Sequence, residues 1–173
     1  MKRWFMLTLV GRDQPGIVAE VTALLFEAGA QLGDASMLRL GGNFTIMMMV
    51  ELNAALDGLS ELMAPVAERF ALRLHPVEID PGPHEHLVPD VLIKVHGADR
   101  PGIVAQVTGA LGKAGLNITD LGSRVGGTID KPIYVMTIEG QAQQGIEVLT
   151  AALEQARRDG IEVQLEELET LYG

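Results

Sequence analysis

The chain has 173 residues, no cysteine and a formal net charge of −10, from 13 Lys and Arg against 23 Asp and Glu. At about 100–200 residues per domain, this length suits one ordinary domain or two small ones with buried cores. The lack of cysteine excludes disulfides, a Cys-ligated metal site and a Cys nucleophile, and the acidic balance disfavours direct nucleic-acid binding, because phosphate contacts depend on Lys and Arg.

The N-terminal segment superficially resembles a secretion signal, because two basic residues precede a short apolar run. Gly11, Arg12 and Asp13 interrupt that run, and no small-residue cleavage site follows. We therefore interpret Trp4 to Val10 as a first β-strand. No apolar stretch reaches the length of about 18 residues that a membrane span needs. We expect a cytoplasmic protein with no membrane segment.

The next segment, which contains the first helix, occurs twice. Residues 11–30 read GRDQPGIVAEVTALLFEAGA and residues 97–116 read GADRPGIVAQVTGALGKAGL, with 12 of 20 positions identical at an offset of 86 residues. Such a repeat indicates a duplicated structural unit. Three prolines between residues 80 and 90 interrupt any regular structure there. We predict two domains, 1–80 and 90–173, joined by a Pro-rich linker at 81–89.

Hydrophobic periodicity predicts the same element order in each unit. Each unit begins with a strand and a helix, continues with a hairpin of two strands, and ends with a second helix and a last strand. In the first unit the hairpin turn is predicted at Gly41-Gly42-Asn43. The sequence pattern predicts strands at residues 4–10, 32–40, 44–52, 91–96, 117–125, 133–139 and 161–165. The resulting βαββαβ order predicts an α+β protein of two ferredoxin-like domains, each an antiparallel four-stranded sheet with both helices on one face. The uncovered face and edge strand would suit a partner, including a second copy.

A repeated motif, G-x-D-x-P-G-I-V-A, lies where the first strand of each unit meets the first helix. With Pro15 and Pro101 as the first helical residues, the N-caps would be Gln14 and Arg100, which are poor capping types. The free amides of the first turn and the helix dipole would then favour a carboxylate group.

The acidic residue of the motif supplies a negative charge beside the positive end of the helix dipole. Asp13 or Asp99 could bind an ammonium group, so that the loop offers partners for both ends of an amino acid. The alternative is structural: the two aspartates brace a tight turn, while Gly16 and Gly102 only permit close packing.

These residues resemble a known family. The motif G-x-D-x-P-G-I-V, followed by A-G-x-N-I-x-D at Ala114 to Asp120 and set in a βαββαβ pattern, is similar to the ACT domain, a regulatory amino-acid-binding module. Two such domains in tandem without an attached enzyme resemble the glycine cleavage system transcriptional repressor family. The resemblance covers essentially the whole chain.

The resemblance implies where a ligand binds. In ACT domains it lies where the first strand–helix loop of one domain meets the start of the second strand of a neighbour. Asn117 holds the polar second-strand position, and Gln31, its counterpart, departs from the usual Asn. An Asn at this point could equally cap the start of a strand. The implied ligand-binding residues are Asp13, Gln14, Pro15, Gly16, Gln31, Asp34, Asp99, Arg100, Pro101, Gly102, Asn117 and Asp120.

The resemblance also implies a function. The chain would be a non-enzymatic sensor of glycine or a similar small amino acid, without a cofactor, that represses transcription through a DNA-binding protein partner. We find no Ser–His–Asp spacing, Walker loop or G-x-G-x-x-G phosphate loop. One alternative is a free-standing regulatory subunit of an amino-acid metabolic enzyme, and another is a structural dimerisation module with a vestigial site. His84 and His86 could suggest a metal, but we interpret them as part of a solvated linker.

Overall fold

The computed structural model describes residues 2–80, 87–98, 101–128 and 131–168. The chain divides into two compact units, Met1–His84 and Glu85–Gly173. Most of the predicted linker, including His84 and His86, lies outside the described residues. In the part of the chain that the structure describes, no helix is both long and apolar enough to cross a membrane.

The first unit has the predicted βαββαβ order. Its four strands form one antiparallel sheet in the order β2-β3-β1-β4. The elements are β1 (Arg3–Arg12), α1 (Ile17–Glu27), β2 (Gln31–Leu40), β3 (Asn43–Leu52), α2 (Leu56–Arg69) and β4 (Arg73–Ile79).

The second unit repeats this architecture, so the predicted fold class is confirmed in both halves. Its sheet has the order β6-β7-β5-β8, again antiparallel. The elements are β5 (Val91–Ala98), α3 (Ile103–Lys113), β6 (Leu116–Thr128), β7 (Lys131–Ala142), α4 (Ile146–Arg158) and β8 (Glu162–Glu167). The hairpin strands β6 and β7 extend beyond the predicted limits because their ladder continues as far as the Thr128–Lys131 pair.

Each unit has its own hydrophobic core, built from one face of the sheet and one side of each helix. Along β1 every second side chain is buried, which is the period of a strand, whereas α1 buries residues four apart, which is the period of a helix. The same spacing recurs in β5 and α3. The buried residues of these four elements are Phe5, Leu7, Leu9, Ile17, Val21, Leu25, Val91, Ile93, Val95, Ile103, Val107 and Leu111.

The β2–β3 hairpin turns on two glycines. Gly41 and Gly42 have φ angles of 57° and 78°, and Leu40 pairs directly with Asn43. Two consecutive residues with positive φ define a type I′ turn, which matches the twist of a hairpin. Asn43 therefore belongs to β3 rather than to the turn. This turn matters for the site because it lies next to the end of β1.

The edge strand β2 is open to solvent. All ten of its residues are exposed, and they include the apolar side chains of Leu38 and Leu40. The opposite face of the sheet from the helices also carries exposed apolar residues, such as Met47 of β3, although its neighbour Met48 is buried in the core. The predicted uncovered edge of the first unit is thus present.

Candidate functional site

The Pro-Gly pairs of the D-x-P-G loops lie in tight turns, and α1 and α3 start two residues later than predicted. Gly16 has φ 93° and ψ −14°, and Gly102 has φ 90° and ψ −6°; these glycines are the N-caps of α1 and α3. The prediction that Pro15 and Pro101 begin the helices, with Gln14 and Arg100 as N-caps, is wrong. The physical reason is that a left-handed glycine after a proline is the third residue of a type II turn, and right-handed helix cannot continue through it.

Within the described part of the chain, the N-termini of α1 and α3 nevertheless have no side-chain cap, as predicted. In the described residues, no side chain caps α1 or α3, since a glycine N-cap has no side-chain oxygen to offer. The Gly16 carbonyl accepts from the Glu20 amide at 3.0 Å, and that of Gly102 accepts from the Gln106 amide at 2.9 Å. The amides of the first turn and the positive end of the dipole therefore face the loop, where an anion is favoured.

Asp13 connects the first loop to the β2–β3 hairpin. Its backbone amide donates to the Gly42 carbonyl at 3.1 Å, and its carboxylate forms an ion pair with the Arg39 guanidinium near the end of β2. The Asp13 side chain is 29% exposed, against 65% for Arg39. These contacts brace the turn, as expected if Asp13 has a structural role. Its carboxylate nevertheless remains partly exposed to solvent.

The other loop residues differ in how they are held. Gln14 donates from its side-chain amide to the Phe70 carbonyl at 3.4 Å, which ties the loop to the end of α2. Pro15 is exposed, and so is its counterpart Pro101. Asp99 and Arg100 lie outside the described residues.

The second-strand residues lie at the start of β2 and β6. Gln31 is exposed and pairs with Glu51, and Asn117 is half-buried and pairs with Gln141. Each strand contains a β-bulge shortly after this position. In β2 the bulge lies between Leu32 and Ala35 and includes Asp34. In β6 it lies between Ile118 and Asp120, so Asp120 is the residue at which regular pairing resumes. These bulges were not predicted from the sequence, although Gly33 was a possible signal for the one in β2.

The strand register shows that a single unit does not bring the loop and the second-strand position together. Gln31 opposes Glu51, and Glu51 opposes Trp4 at the start of β1; the D-x-P-G loop follows Arg12 at the other end. Arg12 lies eight positions after Trp4 along the strand, which corresponds to roughly 27 Å. Within one unit, the two parts of the predicted site are therefore at opposite ends of the sheet.

A separate groove of about 620 Å³ runs between α3 and α4 and contains none of the predicted site residues. Its walls are mostly small side chains, including Ala105, Gly109 and Ala152. Among the described residues, no group of three His, Asp or Glu side chains is placed to hold a metal ion.

Comparison with protein families matches both units to the same family. The description of both matching models is "ACT domain", with residues 3–75 matched in the first unit and residues 91–158 in the second.

Curated relatives give weaker and shorter similarities. The chain is 25% identical over 133 residues to the glycine cleavage system transcriptional repressor of Escherichia coli strain K12, covering 71% of this chain and 65% of that protein. It is 39% identical over 57 residues to a UPF0237 protein of Methanococcus maripaludis, covering 33% of this chain and 63% of that protein. The alignments thus span just under two thirds of these relatives.

A solved structure shares the whole fold. The crystal structure of an unknown protein from Galdieria sulphuraria superimposes with a TM-score of 0.78 at 22% sequence identity, covering 98% of this chain and 100% of that one. At this identity the likeness establishes the two-unit fold alone.

Proposed function

We propose that this chain, which belongs to the ACT domain family in both of its units, is an amino-acid-sensing regulator that acts on a protein partner and performs no catalysis. The observation that carries the proposal is the duplicated D-x-P-G turn. In each unit it ends on a left-handed glycine and opens a helix that no described side chain caps.

The chemistry of the loop suits a small amino acid. The first-turn amides and the helix dipole favour the ligand carboxylate, and Asp13 or Asp99 would accept hydrogen bonds from its ammonium group. Gln31 or Asn117, with Asp34 or Asp120 nearby, would complete the site, as the family resemblance implies. Glycine or a similarly small amino acid is the effector that we propose.

The separation within each sheet supports a regulatory role. Because the loop and the second-strand position are roughly 27 Å apart in one unit, a ligand that contacts both needs a second ACT domain. Binding would then favour one arrangement of ACT domains over others, and a preference of a few kcal/mol is enough to shift a partner-binding equilibrium.

The output that we propose is repression of transcription through a DNA-binding protein. The support is the similarity to a protein named as a glycine cleavage system transcriptional repressor. A net charge of −10 disfavours contacts with phosphate, so the partner rather than this chain would hold the DNA. The exposed β2 edge offers backbone groups to such a partner.

Thermal unfolding with each amino acid in turn tests the sensing role. A ligand that binds only the folded state stabilises it by about 2.7 kcal/mol at one hundred times its dissociation constant. We expect glycine or another small amino acid to raise the unfolding temperature of the wild type but not of an Asp13→Asn, Asp99→Asn double variant. Equal unfolding temperatures with and without every amino acid would count against sensing.

Affinity capture tests the output. The full-length chain is immobilised and exposed to a cell lysate with and without glycine, and retained proteins are identified by mass spectrometry. We expect a DNA-binding protein whose retention changes with glycine. Retention of a metabolic enzyme instead would contradict the transcriptional role, while leaving the sensing role to the unfolding experiment.

A further inference from the structure

One face of the first sheet is apolar and open to solvent. Leu7 of β1 points into the core, so its neighbour Met6 points to the opposite side of the sheet, which we call the outer face. Side chains at paired positions of neighbouring strands share a face, so the register assigns the residues of the other strands to it. The apolar residues of the outer face include Met6, Val10, Leu38, Leu40, Met47 and Val77, and all of these except Met6 are between 42% and 71% exposed.

The corresponding face of the second sheet is charged. Glu166 of β8 stands at the register position that Val77 has in β4. Arg124 of β6 likewise stands where β2 has Leu38. Glu166 also forms an ion pair with Lys94 of β5 at 2.8 Å. Because the two sheets share one fold but differ in the chemistry of this face, the apolar outer face is a property of the first unit.

The outer face is large enough for a stable interface. Four strands spaced about 4.8 Å apart, and up to ten residues long at about 3.4 Å each, give a face of roughly 600 Å². Standard interfaces bury about 800 Å² on each partner, and the smallest of that class bury about 600 Å². Apolar patches on monomeric proteins seldom exceed about 300–600 Å². We therefore expect another surface to cover this one.

The surface is uneven but adaptable. A cavity of about 260 Å³ opens on the outer face beside Val10, Leu38 and Leu40. Met47 and Met6 lie nearer the middle of the face, and methionine side chains are flexible enough to fill irregular gaps. Two sheets that meet through such faces can pack at the usual separation of about 10 Å.

The distribution of charge favours a second copy of the chain as the partner. Two molecules with a net charge of −10 repel each other unless they meet where carboxylates are few, as they are around the apolar middle of this face. Arg12 and Arg73 lie at the end of the face next to the β2–β3 turn. Glu51 lies at the opposite end, where it forms an ion pair with Lys2 at 2.7 Å.

We infer that two copies of the chain associate through the outer faces of their first sheets, about a two-fold axis that crosses the strands. The same patch then meets itself, as in other isologous dimers. This axis brings the arginine end of each copy over the Glu51 end of the other, so the cationic ends stay apart. The association needs no ligand, so it is independent of the proposed function, and it leaves the β2 edge free.

Analytical ultracentrifugation of the full-length chain over a range of concentrations tests this inference. We expect the wild type to form a dimer that dissociates on dilution. Met47→Glu places two carboxylates in the apolar interface and should raise the dissociation constant of the dimer at least about tenfold. Leu38→Arg gives the first sheet the residue of the second and should weaken the dimer in the same direction. Both side chains are largely exposed in one copy, so we expect each variant to fold, and urea unfolding checks this.

The matched control is Thr137→Glu in the second sheet. Thr137 opposes Lys94 as Met47 opposes Thr8, so the change adds the same charge at the same register position of the other unit. We expect Thr137→Glu to dimerise like the wild type.

Fluorescence gives a second measure of the same face. Trp4, the sole tryptophan of the chain, lies on the outer face opposite Glu51. Its emission should shift to shorter wavelength as the wild-type dimer forms, and should not depend on concentration in Met47→Glu.

Three results would overturn the inference. The first is a wild type that stays monomeric at every concentration, which would leave the face to another protein. The second is a dimer that both outer-face variants leave intact, since the copies would then meet elsewhere, for example at the β2 edge. The third is an equal loss of dimer in Thr137→Glu and Met47→Glu, because the first sheet would then have no special part in the association.

Discussion

Gly140 of β7 lies so close to Asn117 of β6 that a methyl group at position 140 would stand 2.5 Å from the Asn117 carbonyl oxygen. The start of β6, which carries a proposed ligand contact, is thus packed against backbone that only glycine permits. In the first unit Val50 opposes Leu32 at the equivalent point of the ladder. The close approach is therefore a property of the second unit.

The first prediction concerns this contact. Gly140→Ala should lower the free energy of unfolding by about 1–3 kcal/mol, because the added methyl group meets backbone, which cannot move aside as a flexible side chain can. Urea denaturation measures the change as a lower midpoint. Gly122→Ala in β6 is the control, since no atom lies within 4 Å of its added methyl group. Equal midpoints for the two variants would contradict the prediction.

The second prediction separates backbone strain from space. A methyl group at Gly102 or at Gly109 meets no atom within 4 Å, but Gly102 has φ 90° whereas Gly109 lies inside α3. Gly102→Ala should destabilise the protein by about 1–2 kcal/mol. Gly109→Ala should stabilise it by about 1 kcal/mol, because alanine is the better helix former. Opposite shifts of the urea midpoint support this account, and a rise for Gly102→Ala refutes it.

The third prediction concerns the core of the first unit. Leu25 is fully buried, and its neighbour Phe26 is 81% exposed. Leu25→Ala should cost about 2–5 kcal/mol through lost burial and a new cavity. Phe26→Ala should change stability by less than about 0.5 kcal/mol, although it removes more atoms. Calorimetric unfolding compares the two, and an equally large loss for Phe26→Ala would show that its side chain is covered in solution.

The fourth prediction concerns Asp90, which precedes β5. Its carboxylate accepts a hydrogen bond from the Ala142 amide at 2.8 Å, and its own amide donates to the Gly140 carbonyl at 3.0 Å. Asp90→Ala should cost about 1–3 kcal/mol, because a partly buried amide loses its acceptor. Asp90→Asn keeps an oxygen at that point and should retain most of the stability. Equal losses for both variants in urea would show that charge, not the hydrogen bond, is what matters.

The sequence was sufficient to predict the βαββαβ order of both units, because the core positions follow simple periods. Phe5, Leu7 and Leu9 alternate, and Val21 and Leu25 lie one helical turn apart. The starts of α1 and α3 were predicted wrongly. A proline at position 15 is compatible both with the first turn of a helix and with the second position of a type II turn. The glycine that follows it at position 16 is the signal in the sequence that favours the turn.

The arrangement of the candidate site was harder to predict from the sequence than the fold. The contact between Asp13 and Arg39 joins residues far apart in the chain, and it depends on a two-residue hairpin that brings Gly42 to the Asp13 amide. The distance between Gln31 and the loop depends on which strands are neighbours in the sheet. Residue types and the family resemblance supplied the candidate members of the site but could not determine which of them lie together within a unit.

The proposed amino-acid-sensing role is best tested by isothermal titration calorimetry of the full-length chain with glycine and with each other small amino acid. We expect saturable binding to the wild type and its loss when Asp13→Asn and Asp99→Asn are combined, with urea denaturation showing that both proteins are folded. Folded wild type that binds no amino acid, or a folded double variant that binds as well as the wild type, would contradict it.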